Sequence, residues 1–141
     1  MNQNREINRR TLISGACALL ALTGLGTLPA SASNGIRKLS NGRVSVKLKS
    51  IPELASVGGT VGIGEVKGKP VAITRTGNTS YVAFSLSCPH QQVTVSREGN
   101  GWMCGAHGSE FEADGDLVLG PATKRLTRVP IKVSRGVATI G

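Results

Sequence analysis

Aromatic side chains are nearly missing from this chain. Its 141 residues hold one Trp, one Tyr and two Phe (Trp102, Tyr81, Phe84 and Phe111). A core must therefore be filled by Val, Ile, Leu and Ala, and no surface can offer the row of rings on which single-stranded nucleic acid stacks. Carboxylates are scarce too, eight against seventeen Lys and Arg, for a formal charge of +9. No carboxylate pair, Ser-His-Asp set or phosphate-cradling glycine loop is present, so catalysis by this chain alone is not expected. There are only three cysteines, of which Cys88 and Cys104 follow residue 32, and only two histidines, His90 and His107. After Ala32 no run of ten or more residues keeps a helical period. What the chain does have is nineteen glycines and many short Val-rich runs, the mark of a turn-dense β protein.

All the Cys and His after residue 32 fall in two segments, Cys88-Pro89-His90 and Cys104-Gly105-Ala106-His107, with thirteen residues between them. Two thiolates and two imidazoles complete either a single tetrahedral zinc site or a two-iron, two-sulfur cluster in which two His replace two Cys on one iron. C-x-H is a tight pair for zinc, where two to four residues usually intervene. The second pair runs on through Gly108-Ser109-Glu110-Phe111 and Asp114-Gly115 into Gly120-Pro121-Ala122. Together these residues resemble the Rieske iron–sulfur family, in which an H-G-S-x-[YF] segment, a D-G turn and a G-P-A loop follow the second ligand pair. The resemblance covers roughly residues 57–140. A structural zinc domain, the alternative, gives the Gly108-Ser109 and Gly120-Pro121-Ala122 segments no role.

The resemblance implies one [2Fe-2S] cluster, with Cys88 and Cys104 on a buried iron and His90 and His107 on an outer one. It implies that Ser109 donates a hydroxyl to a bridging sulfide and that Pro121 closes over the cluster. Phe111 stands where high-potential members carry a Tyr that donates to a cysteine sulfur. Those members also brace the two loops with a disulfide near the positions of Val93 and Ala106, which this chain cannot form. One donor kept and one lost implies a potential between the family's extremes, about −150 to +300 mV.

Residues 1–32 read as an export signal. Asn8-Arg9-Arg10-Thr11-Leu12-Ile13 resembles the twin-arginine motif; an uncharged, moderately apolar run, Thr11–Leu28, leads to Ala30-Ser31-Ala32, the small residues that signal peptidase reads. The twin-arginine translocase exports folded, cofactor-loaded protein, which suits an inserted cluster. About 20 apolar residues span a bilayer, so retention of the segment as a membrane anchor is the alternative to cleavage. Cys17 lacks the Leu three places upstream that a lipobox carries.

Residues 33–43 read as a linker and 44–141 as the cluster domain. Expected strands lie at 44–48, 61–66, 71–74, 81–86, 93–96, 101–103, 117–119, 129–133 and 137–140, separated by strong turn formers. The expected fold is all-β, an antiparallel sandwich or small barrel with two cluster-binding loops. From Ser33 onward fourteen Lys and Arg face seven Asp and Glu, a formal +7. Such a surface suits anionic lipid or an acidic redox partner, or simply solvated strand edges; nucleic acid is excluded by the lack of aromatics and by export. The expected function is one-electron transfer outside the cytoplasmic membrane, in a bacterial periplasm or at the outer face of the cytoplasmic membrane, with a cytochrome or a catalytic oxidoreductase subunit as partner. The iron–sulfur subunit of a cytochrome bc-type quinol-oxidising complex is one such role.

Overall fold

The computed structural model describes residues 35–141; the expected export signal and the first two residues of the linker lie outside them. In chain order the strands are β1 (Ile36–Lys38), β2 (Val44–Lys47), β3 (Thr60–Val66), β4 (Lys69–Arg75), β5 (Tyr81–Ser85) and β6 (Ser96–Glu98). They continue as β7 (Gly101–Met103), β8 (Glu110–Phe111), β9 (Leu117–Leu119), β10 (Arg128–Val129), β11 (Ile131–Ser134) and β12 (Val137–Ile140). All neighbours pair antiparallel, in three four-stranded sheets: a basal sheet β1-β2-β12-β11, a central sheet β10-β5-β4-β3 and a ligand sheet β6-β7-β8-β9. The expected all-β antiparallel class is what the chain adopts. Among the described residues no helix is long and apolar enough to cross a membrane.

The central sheet separates two cores. Successive side chains along β4 point to opposite faces, and Val71, Ala72, Ile73 and Thr74 are all buried. Val71 and Ile73 meet Val44, Val46, Ala138 and Ile140 of the basal sheet, with Ile51 and Leu54 from the short 3-10 turns after β2. Ala72, with Phe84 and Leu86, meets Trp102 and Phe111 of the ligand sheet and the thiols of Cys88 and Cys104. A strand covered on both faces reads as a continuous apolar run rather than an alternating one, which is how Val71–Thr74 reads.

Some elements differ from expectation, each for a physical reason. Residues 36–38, within the stretch read as a linker, form β1, whose partner is β2 through the pairs Ile36↔Val46, Arg37↔Ser45 and Lys38↔Val44. A three-residue edge strand of one Ile followed by two cations carries too little pattern to register on its own. The expected strand 129–133 is broken at Pro130, which has no N–H to give to a ladder; β10 stays in the central sheet and β11 passes to the basal one. The hairpin expected from 93–96 begins at Ser96, while Thr94 makes only an isolated bridge to Ser87. The turns Lys67-Gly68 and Arg135-Gly136 have both residues at positive φ (50° and 79°, 49° and 75°), the two-residue hairpin form that matches strand twist.

Candidate metal centre

The ligand-bearing loops leave the ends of neighbouring elements. The first follows β5 and the second follows β7, so both start from the core that packs between the central and ligand sheets. Each closes in the same way. Cys88 N–H donates to Val93 O and Gln92 N–H to Cys88 O; Cys104 N–H donates to Ser109 O and Gly108 N–H to Cys104 O, all four at 2.8 Å. In both loops the residue four places after the cysteine is left-handed, Gln92 at φ 59° and Gly108 at φ 77°. Two six-residue loops are thus built on one backbone template, although their histidines sit at different positions within it.

The donors separate by depth. Cys88 and Cys104 are 0% exposed and unbridged, in contact with the core of Phe84, Leu86, Trp102 and Phe111. His90 and His107 are exposed, with ring centroids 4.7 Å apart and planes at 82°. Cys104 Sγ lies 3.9 Å from His107 Nδ1. Among the described residues no three His, Cys, Asp or Glu side chains gather around one point as the ligands of a single ion. An inner thiol pair beneath an outer imidazole pair is the donor set for a two-iron cluster with thiolates on one iron and imidazoles on the other, so these four residues fit the group.

Ser109, also 0% exposed, ties the parts together. Its hydroxyl oxygen accepts the backbone N–H of Ala122 at 3.0 Å, which fastens the Gly120-Pro121-Ala122 loop to the second ligand loop. A hydroxyl that accepts in this way still has its own O–H to donate. Pro121 itself is exposed and Ala122 is 5% exposed, so the loop presents its proline outward and anchors through the next residue. Phe111 is 2% exposed and belongs to the same core as both thiols. Trp102 stands edge-on to Phe84 at 6.1 Å and 80°, and its outer side is covered by the Arg97 guanidinium at 5.3 Å. Two contributors were not evident from the sequence. Ala122 acts through its amide, which every non-proline residue has, and Gln92 adopts a left-handed conformation that only Gly, Asn or Asp would have signalled.

The family model of the Rieske [2Fe-2S] domain matches residues 46–131, while no curated protein matches the chain. The fold is similar to that of the cyanobacterial plasma membrane Rieske protein PetC3 from Synechocystis PCC 6803, at 27% identity over 59% of this chain and 86% of that one, with a TM-score of 0.51. A chain of a hyperthermophilic respiratory complex III shares the fold at 18% identity over 92% of this chain and 93% of that one, TM-score 0.55. A chain from a complex of oxygenase and ferredoxin in carbazole 1,9a-dioxygenase shares it at 20% identity over 72% and 94%, TM-score 0.51. The family match takes in both ligand loops, the Ser109 tether and the Pro121 loop and extends over more than half of the chain, so the protein belongs to the Rieske [2Fe-2S] domain family.

Proposed function

We propose that this protein carries single electrons outside the cytoplasmic membrane, as a subunit or carrier in a respiratory or periplasmic oxidoreductase chain. The observation that carries the reading is the depth of the donors: two thiols at 0% exposure beneath two exposed imidazoles 4.7 Å apart. When bound, the [2Fe-2S] cluster supplies a one-electron couple; the protein supplies position and surroundings. Cys88 and Cys104 would hold the inner iron, in a core where Phe84, Trp102 and Phe111 exclude water from the sulfurs. His90 and His107 would hold the outer iron at the surface, where a partner can approach within tunnelling reach. Ser109 orients the Pro121 loop through the Ala122 amide and keeps an O–H to tune the sulfurs.

Export by the twin-arginine translocase through Arg9 and Arg10 fits a protein that must fold around its cofactor first. Likeness to a plasma membrane Rieske protein supports a membrane-associated place. The role in a quinol-oxidising complex is weakened by the missing loop disulfide and by Phe111 in place of Tyr. Purification of tagged full-length protein from membrane and periplasmic fractions tests the reading. A co-purifying cytochrome or oxidoreductase subunit that exchanges an electron with it is expected; a colourless protein held in the cytoplasm with stoichiometric zinc contradicts it.

A further inference from the structure

The positive charge of the domain is segregated. Residues 35–51 and 130–141, which build the basal sheet and its turns, hold Arg37, Lys38, Arg43, Lys47, Lys49, Lys132 and Arg135 and not one Asp or Glu. Residues 52–129 hold seven Lys and Arg balanced by seven Asp and Glu. The whole excess of +7 therefore lies in one sheet.

Register places much of it on one face. Val44, Val46, Ala138 and Ile140 are buried toward the central sheet, so the alternate residues point outward. One cross-strand row reads Arg37, Ser45, Thr139, Lys132 across all four strands, and the next reads Lys47, Val137, Ser134. At the edge of this face Lys47, Lys49, Ser50, Arg135, Gly136 and Val137 line a cleft of about 390 Å³. Arg37, Lys47, Lys49, Lys132 and Arg135 are all exposed, and among the described residues none forms an ion pair.

We infer that the outward face of the basal sheet docks on the anionic headgroups of a membrane leaflet. An acidic redox partner fits this face poorly. The ligand thiols lie in the other core, beyond the central sheet, and at about 10 Å per sheet layer an electron would have to cross roughly 20 Å. A protein interface would also need a buried apolar or aromatic anchor; here the face offers only half-buried Val137 among cations and hydroxyls. Arg37 and Lys132 stand at the two ends of a row four strands wide, with hydroxyls between them and Lys47, Lys49 and Arg135 alongside. Cations spread in this way over a flat face, its strands about 4.8 Å apart, suit a plane of phosphates. The chain reaches this sheet through its edge strand β1, eight residues after the uncharged run Thr11–Leu28 ends. Docked this way, the basal sheet rests on lipid and the histidine edge stays free for a partner. The inference does not depend on which partner takes the electron.

The test uses the full-length protein with vesicles of phosphatidylcholine alone and of phosphatidylcholine mixed with phosphatidylglycerol. The apolar run contributes to both compositions, and Arg5, Arg9 and Arg10 add an anionic preference common to every variant, so the basic face is read from the difference between wild type and the variants. Wild type should prefer the anionic vesicles, with a preference that falls steeply with salt. Lys47→Gln with Lys132→Gln should lower that preference about twenty-five-fold, taking each cation at roughly fivefold. Lys69→Gln with Lys124→Gln, an equal charge loss in the balanced part of the chain, should leave it nearly intact. Equal losses in the two double variants, or equal binding of wild type to both compositions, would overturn the inference. So would loss of the preference in millimolar inorganic phosphate, which would mark a small-ion cleft, or tighter binding to a single-stranded oligonucleotide than to anionic vesicles.

Discussion

Ser109 tethers the Pro121 loop through one buried hydroxyl, and the tuning role proposed for the same group can be separated from the tether by measurement. Its oxygen holds the Ala122 N–H at 3.0 Å, so Ser109→Ala strands a buried donor and should cost about 1–3 kcal/mol of stability. The lost O–H should also lower the reduction potential, because a donor to a cluster sulfur favours the more negative reduced state. One hydrogen bond to a charged group is worth roughly 1.5–3 kcal/mol, and 59 mV corresponds to about 1.4 kcal/mol in a one-electron couple. A fall of some tens of millivolts up to about 100 mV is expected in protein-film voltammetry. Denaturant melts of the same variant read the structural part; an unchanged potential would leave Ser109 as a tether only.

The elements divide into two cores, and mutations in them should have different consequences. Leu54→Ala opens the basal core at a residue 2% exposed, at a cost of about 2–5 kcal/mol. Phe84→Ala opens the ligand core, at about 3–5 kcal/mol. Both should lower the melting midpoint, but only Phe84 shares a core with the thiols, so only Phe84→Ala should alter the absorption and circular dichroism of the cluster. Much of this architecture was legible in the sequence. Alternation in Val44–Lys47, the two-sided run Val71–Thr74 and the turn pairs at Gly68 and Gly136 marked their strands, and the ligand pairs with Gly120-Pro121-Ala122 marked the centre. The rest depends on partners distant in the chain. The two residues of β8 have no period of their own and are ordered by pairing with β7 and β9. Likewise β1 exists because β2 offers an edge, and the identical closure of the two ligand loops is a backbone property that side-chain identity does not encode.

At the scale of the whole molecule the proposed N-terminal export signal would deliver a domain already folded around its cofactor. Arg9→Lys together with Arg10→Lys should leave the precursor in the cytoplasm, as measured by fractionation and immunoblotting. Processed protein in the periplasm of this double variant would contradict the twin-arginine route. The domain itself has its charge on the basal sheet and its donors in the core beyond the central sheet, so an anionic membrane and a redox partner need not compete for one surface. All of this rests on the centre being a binuclear cluster with two imidazoles on one iron. Pulsed electron–nuclear double resonance on the reduced full-length protein tests that most directly. The account predicts a paramagnetic [2Fe-2S] signal coupled to two imidazole nitrogens, with the native signal lost in both His90→Ala and His107→Ala. A zinc-loaded protein with no signal, or an iron signal without nitrogen coupling, would contradict it.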